Sequence, residues 1–225
     1  KDILRRYYKN FFFFNANAFG YLKLVPIELR KIYRQSDSVF VSMLDRVREN
    51  HATKQDITLI NSRYNPNYKE EKGTFVMTLA TRRDTVDMIN ETHMDAIESP
   101  QYVFEGQIEG TFPSQNLPTQ QELVVKKDAQ VIFIRNDKDG RWINGTLGRV
   151  CRVDDDEMWV ELEDGNVYNV EPEVWENMQY TYDEEKKVVV ENVLGTFKQY
   201  PVKPAWALTV HKSQGSEYPF VIIPM

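Results

Sequence analysis

Ala207-Leu208-Thr209-Val210-His211-Lys212-Ser213-Gln214-Gly215-Ser216-Glu217-Tyr218-Pro219-Phe220-Val221-Ile222-Ile223-Pro224-Met225 alternates apolar, polar and apolar blocks. The pattern predicts a strand running into a polar loop, with a second apolar strand after it. Thr209, His211, Lys212, Ser213, Gln214 and Gly215 then lie at the carboxyl end of the first strand. That is the edge at which open α/β sheets present ligand-binding groups. Gly215 allows a backbone to approach a bulky anion closely. Ser213 does not fit a hydrolase nucleophile, because that elbow needs Gly-x-Ser-x-Gly and His211 occupies the first glycine position. The loop reads as a binder.

With 225 residues the chain can bury one core, or one core and a small insert. Its 41% apolar and 28% charged residues are the proportions of a soluble globular protein. The single cysteine, Cys151, excludes an internal disulfide and fits a reducing interior, so a cytoplasmic location is expected. Zinc-type cysteine spacing is absent and no metal site is expected. The aromatic run 11–14 is too short to cross a bilayer and the Lys-rich start lacks a signal-peptide core, so no membrane partner is expected. Core burial is the favoured reading of that run, with packing on a neighbouring domain as the alternative. A net charge of −6 argues against a phosphate-rich partner, yet the average conceals a split. Residues 137–193 hold 6 Lys+Arg against 16 Asp+Glu, and the remainder holds 22 against 18. The acid is concentrated in one segment, and the rest can face an anion.

Helical spacing of Val39, Met43, Leu44 and Val47 predicts a helix over 38–49, with Ser36, Asp37 and Ser38 as cap candidates. Thr53 to Asp56 reads as a cap for a second helix, and a short basic helix is expected over 2–8. A buried strand over 74–80, an amphipathic helix over 84–97 and a strand over 130–135 suggest a parallel sheet completed by the final strand pair. Between 136 and 204 the texture changes to short alternating strands over 145–153, 158–163, 166–170 and 188–197. Asp164-Gly165 marks a hairpin and Lys186-Lys187 a hairpin tip. This alternation predicts a small β-barrel.

Thr209-Val210-His211-Lys212-Ser213-Gln214-Gly215, preceded by Ala205-Trp206-Ala207, resembles motif V of the superfamily-1B 5′→3′ DNA helicases, the PIF and RecD-like enzymes. Ile32-Tyr33-Arg34-Gln35, the segment from Asn136-Asp137 to Asn144-Gly145-Thr146-Leu147-Gly148, and the stretch from Trp175-Glu176-Asn177 to Gly195-Thr196-Phe197 are similar to the PIF branch, in its order. Ser216-Glu217-Tyr218-Pro219 departs from the Leu-Thr that usually follows there and is closer to RecD-like and UvrD-like helicases, which leaves the branch open. The resemblance implies an α/β, RecA-like (P-loop NTPase-type) second helicase domain made of residues 1–136 and 198–225. It also implies an SH3-like β-barrel insert over 137–197.

Tyr33-Arg34-Gln35 then corresponds to motif IV, which implies that Arg34 contacts the γ-phosphate of ATP with Gln35 beside the nucleotide. On the residues alone, Arg34 suits either a phosphate across a cleft or a surface salt bridge. Within motif V, the resemblance implies that Thr209 and His211, with Lys212 and Ser213, face single-stranded DNA. Gln214 and Gly215 would face nucleotide phosphate, and Glu217 the ribose. Trp142, Trp159, Trp175, Tyr180 and Tyr182 could stack bases, but barrel core is the favoured reading, since the surrounding acids repel phosphate. Arg141, Trp142 and Asn144 are the residues of that segment placed to touch DNA.

No Gly-x-x-x-x-Gly-Lys-[Ser/Thr] occurs in the sequence. Asp183-Glu184-Glu185 imitates a Walker B acid pair, but residues 177–182 before it do not form a buried apolar strand pattern. The expectation is therefore the carboxyl-side piece of an ATP-dependent helicase. ATP, Mg²⁺ and a first RecA-like domain would belong to the complete enzyme, none of them bound to the piece alone. The runner-up is a non-catalytic nucleic-acid or protein interaction module with helicase architecture. A Walker A motif upstream would separate the two.

Overall fold

The computed structural model describes residues 5, 7–28, 37–69, 71 and 73–224. The chain divides into two compact units, residues 1–68 and 69–225. Most of the helix expected over 2–8, together with Arg34 and Gln35, lies outside the described residues.

In the first unit, the helix Ser38–Arg48 begins where Asp37 accepts the backbone N–H groups of Val39 and Phe40 at 2.9 and 3.0 Å. The helix Lys54–Asn61 opens with a reciprocal capping box. Thr53 Oγ1 accepts the Asp56 N–H at 3.2 Å, and the Asp56 carboxylate accepts the Thr53 N–H at 2.8 Å. Arg46, from the preceding helix, donates to both oxygens of the same buried carboxylate. One side chain thus caps the second helix and ties it to the first. The guanidinium, and after it the Thr53 donors, hold the Asp56 carboxyl well below the usual carboxylate range. The aromatic run is not core, contrary to the favoured expectation. Phe13 is 76% exposed, and Phe12 and Phe14 stack on each other at 5.2 Å across a short 3-10 turn instead of under a second layer.

In the second unit, β1 (Val76–Ala80) leads into the helix Arg83–Asp95, whose Val86 and Met94 are buried. Then come β2 (Gln101–Glu105), β3 (Gln107–Gly110), β4 (Glu122–Lys126) and β5 (Gln130–Phe133). β6 (Leu147–Val153), β7 (Met158–Leu162) and β8 (Val167–Val170) follow. The chain ends with β9 (Glu173–Asp183), β10 (Val188–Gln199), β11 (Val202–Pro204), β12 (Ala207–Thr209), a helical turn Val210–Ser213 and β13 (Phe220–Ile222).

β1 is central in a parallel trio, β12-β1-β13, as the alternation of strand and helix predicts. The expected strand at 130–135 does not join it. β5 pairs antiparallel with β6 and β11 in a five-stranded sheet of order β11-β5-β6-β7-β8. The cause is local: Gly145 donates its N–H to Phe133 O at 2.8 Å, so the chain turns back at the end of β5 without the crossover helix a parallel neighbour requires. β5 and β11 flank the segment 137–197 in sequence, so strands from both sides of that segment share one sheet with β6, β7 and β8.

This sheet buries both faces around β5. Val131, Phe133, Val150, Val160 and Val202 pack with Leu123 and Val125 of β4. Ile132 and Leu147 turn the other way, toward Phe75, Met77, Ala205 and Leu208. β9 and β10 form a long hairpin whose tip carries Lys186-Lys187 as expected, with Lys187 in the left-handed region at φ 56°. Gly165, at φ 82°, likewise makes the expected β7–β8 turn. Among the described residues no helix is long and apolar enough to cross a membrane.

The Asp56 clamp sets a pH dependence. Its folded-state pKa is depressed, so its stabilisation is present above the unfolded-state value of about 4 and is lost as pH falls toward the folded value. Asp56→Asn is expected to lower the melting temperature by several degrees at neutral pH. The gap from wild type should begin to narrow below about pH 4 and shrink further as pH falls toward the folded value. Equal gaps at pH 7 and about pH 2, read by circular dichroism, would show that the charge contributes nothing.

Candidate nucleotide and nucleic-acid site

The carboxyl ends of β1 and β12 lie side by side, with Ala80 opposite Thr209. At that edge the sequence predicts a loop, and the structure places a helical turn, Val210–Ser213. The Ser213 hydroxyl donates to Val210 O at 2.8 Å and the Ser216 N–H donates to Ser213 O at 3.0 Å, which winds the segment into that turn. Gly215 follows at φ +93°, in the left-handed region, with open space where a Cβ would stand. His211, Lys212, Gln214 and Glu217 are exposed, and Thr209 and Ser213 are half-buried. All seven motif V candidates, Gly215 included, are therefore brought to one edge of the parallel sheet.

Two polar side chains outside the motif hold its entry. Asn90, on the helix Arg83–Asp95, accepts the Trp206 and Ala207 N–H groups, both at 2.8 Å, and donates to Ala207 O at 3.1 Å. Gln130 of β5 is buried and donates to Val76 O at 2.9 Å and Ala205 O at 2.8 Å, joining the antiparallel sheet to the start of the parallel one. The signal for Asn90 was its place four residues from Val86 and four from Met94, a polar side chain on an otherwise buried stripe. His93 is half-buried and stacked on Trp206 with ring centroids 5.4 Å apart.

The connection between β5 and β6 carries Arg141, Trp142 and Asn144. Asp137 accepts the Arg141 backbone N–H at 3.0 Å and its Nε and Nη2 at 2.9 and 2.6 Å, and this guanidinium holds the Asp137 carboxyl down to about 2. Trp142 is 6% exposed, with its ring stacked on Phe133 at 4.3 Å and the Arg141 guanidinium 4.6 Å from its centroid. The ring fills the core and presents no open face to a base. Asn144 is exposed and donates its backbone N–H to Asn136 Oδ1 at 2.7 Å. At Gly145, next to it, an added Cβ would stand 3.0 Å from Ser216 Oγ, so this turn abuts the segment that follows motif V. Sequence reading had no means of joining positions 145 and 216. Among the described residues, no group of three or more His, Cys, Asp or Glu side chains could hold a metal ion.

A parallel strand trio with the motif at its carboxyl edge, beside antiparallel sheets, is the mixed α/β architecture of the carboxyl-side part of a DNA helicase. Residues 204–225 match the model of the UvrD-like helicase C-terminal domain. The ATP-dependent DNA helicase Pif1 of Bdellovibrio bacteriovorus is 28% identical over 188 residues, covering 81% of this chain and 40% of that protein. A crystal structure of Bacteroides sp Pif1 in complex with ADP-AlF4 superimposes with a TM-score of 0.79 at 28% identity, and one of Bacteroides Pif1 bound to ssDNA with 0.67. Each covers 99% of this chain, which spans 51% of the solved ones. The chain is similar to Pif1-family DNA helicases along nearly its whole length. These relatives lie on the PIF side of the branch that Ser216 to Pro219 leave open.

Because Asn90 satisfies three backbone groups at the start of β12, Asn90→Ala is expected to cost about 1–3 kcal/mol of unfolding free energy. Urea denaturation checks this. An unchanged midpoint would show that water replaces the side chain without loss.

Proposed function

We propose that this chain is the carboxyl-side motor half of an ATP-dependent 5′→3′ DNA helicase, contributing contacts to nucleotide phosphate and to single-stranded DNA. The observation that carries the reading is the short segment from Thr209 to Gly215 at the edge of the parallel trio. One turn of chain there offers hydroxyl, imidazole, ammonium, amide and open glycine backbone. Thr209, His211, Lys212 and Ser213 take the DNA side, with Arg141 and Asn144 as further contacts. Trp142 supports the turn that carries them. Gln214 and Gly215 take the nucleotide phosphate, Glu217 the ribose, and Gln35 lies beside the nucleotide. The Bacteroides relatives, solved with ssDNA and with ADP-AlF4, support the pairing of these two ligands in one motor.

In this reading the parallel trio belongs to a RecA-like domain, and the segment 137–197 contributes an SH3-like module grown out of it. A partner RecA-like domain of the same protein supplies the phosphate loop. ATP with Mg²⁺ supplies the phosphoanhydride that is hydrolysed. Arg34 stabilises charge on its γ-phosphate when the cleft closes. A turn that touches nucleotide at Gln214 and DNA at His211 can convert closure into a change of grip on the strand.

Two experiments test this. The 225-residue chain by itself is expected to hydrolyse no ATP when single-stranded DNA is added, since the lysine of a phosphate loop is not in its sequence. DNA-stimulated phosphate release from pure chain would refute it. In the complete enzyme, Arg34→Ala is expected to lower kcat for ATP by about two orders of magnitude while oligonucleotide affinity stays within about twofold. Parallel loss of DNA affinity would remove Arg34 from the catalytic role.

A further inference from the structure

Lys203 lies in β11 directly opposite Ile132 of β5, and Ile132 lies opposite Leu147 of β6. Directly opposed residues of a sheet project to the same face, so the three form one row. Ile132 and Leu147 are buried and pack with Leu208 of β12, and Tyr218 packs against the same cluster. The neighbour of Lys203, Val202, turns into the opposite core. Lys203 is thus the half-buried, charged end of an apolar row aimed at the segment that carries motif V.

A lysine placed there has a strong need of a counterion. Burial pushes its pKa down to about 8, and the Lys212 ammonium pushes in the same direction, which brings the motif V lysine into its neighbourhood. Among the described residues neither lysine forms an ion pair or a side-chain hydrogen bond. Acids elsewhere in this unit do find cations: Asp137 pairs with Arg141, Asp154 with Arg152, and Glu173 with Arg135 and Lys138. A half-buried ammonium with no ion-pair partner among the described residues is unfavourable until an anion arrives. β11 is fixed on both sides of Lys203, by Val202 in the core and by the Gln130 bond to Ala205 O, so the ammonium is offered from a rigid strand.

We propose that Lys203, which lies outside motif V, joins Lys212 in holding a phosphate of the bound strand, a backbone phosphodiester of single-stranded nucleic acid. The inference rests on the nucleic-acid reading of the site above. The other source of the same chemistry is a nucleotide phosphate, and the two are separable.

The test uses the complete protein, with fluorescence anisotropy of a labelled oligothymidylate across a salt series and of a fluorescent ATP analogue in parallel. Lys203→Gln is expected to weaken oligonucleotide binding about 3- to 10-fold and to reduce the slope of log affinity against log salt by about 0.7, the value for one lost contact on a single strand. Lys203→Arg should stay within about twofold of wild type, and ATP-analogue affinity should not move. Lys203→Met retains the apolar stem and repeats the neutral test should the glutamine melt early. Unchanged affinity and slope in the neutral variants overturn the assignment while wild-type binding leaves the site reading intact. Loss of ATP-analogue affinity with oligonucleotide binding retained overturns the nucleic-acid source and moves the phosphate to the nucleotide. A wild type that binds no oligonucleotide refutes the site reading itself, and this inference with it.

Discussion

Everything at the candidate site depends on how the chain crosses from one sheet to another between Pro204 and Ala207. β11 ends in the antiparallel sheet and β12 begins in the parallel trio after only two intervening residues, Ala205 and Trp206, whose backbone groups must find partners outside both strands. Pro204 has no N–H to leave unpaired. The Ala205 carbonyl is taken by Gln130, the Trp206 carbonyl by the Thr78 N–H at 2.8 Å, and the Trp206 and Ala207 N–H groups by Asn90. Each of these partners sits on a different element: β5, β1 and the helix Arg83–Asp95. The crossing is therefore a three-way joint, and the direction in which β12 delivers Thr209 and His211 is set by it.

The joint also explains how charge is distributed. Residues 137–193 carry the acid, but its best-placed carboxylates are spent inside that segment and at its border, Asp137 on Arg141 and Glu173 on Arg135. The Arg141 guanidinium, committed to Asp137, is the largest cause that holds this carboxyl down to about 2. Lys203 and Lys212, by contrast, form no ion pair among the described residues, although the whole chain is net negative. Average charge is a poor guide to the partner of a protein built in segments of opposite sign.

Elements with a strong local period were legible in the sequence. The helices at 38–48 and 83–95, β1, the Asp164-Gly165 turn and the 186–187 hairpin tip all follow from apolar spacing, caps and turn residues. β5 was legible as a strand and illegible as to its sheet, because Val131-Ile132-Phe133 is buried on both faces and reads the same in parallel and antiparallel surroundings. β9 escaped because its burial alternates weakly: Val174 and Tyr180 are exposed and Trp175 only half-buried, which leaves no apolar stripe to detect.

The site divides along the same line. Motif V is contiguous, so its seven residues could be read as a unit, and the fold gathers them at one edge as that reading requires. Asn90, Gln130 and Lys203 are separate in sequence and act on backbone or ligand far from their own positions. A side chain that caps a foreign strand leaves no period in its neighbourhood; its only trace is polarity where burial is expected. Asn90 on the Val86 to Met94 stripe, Gln130 beside Val131 and Lys203 between Val202 and Pro204 all show that trace. For the first two, the structure supplies the partner that polarity demands. For Lys203 it supplies none, and the missing partner is the reason to look for it in the ligand.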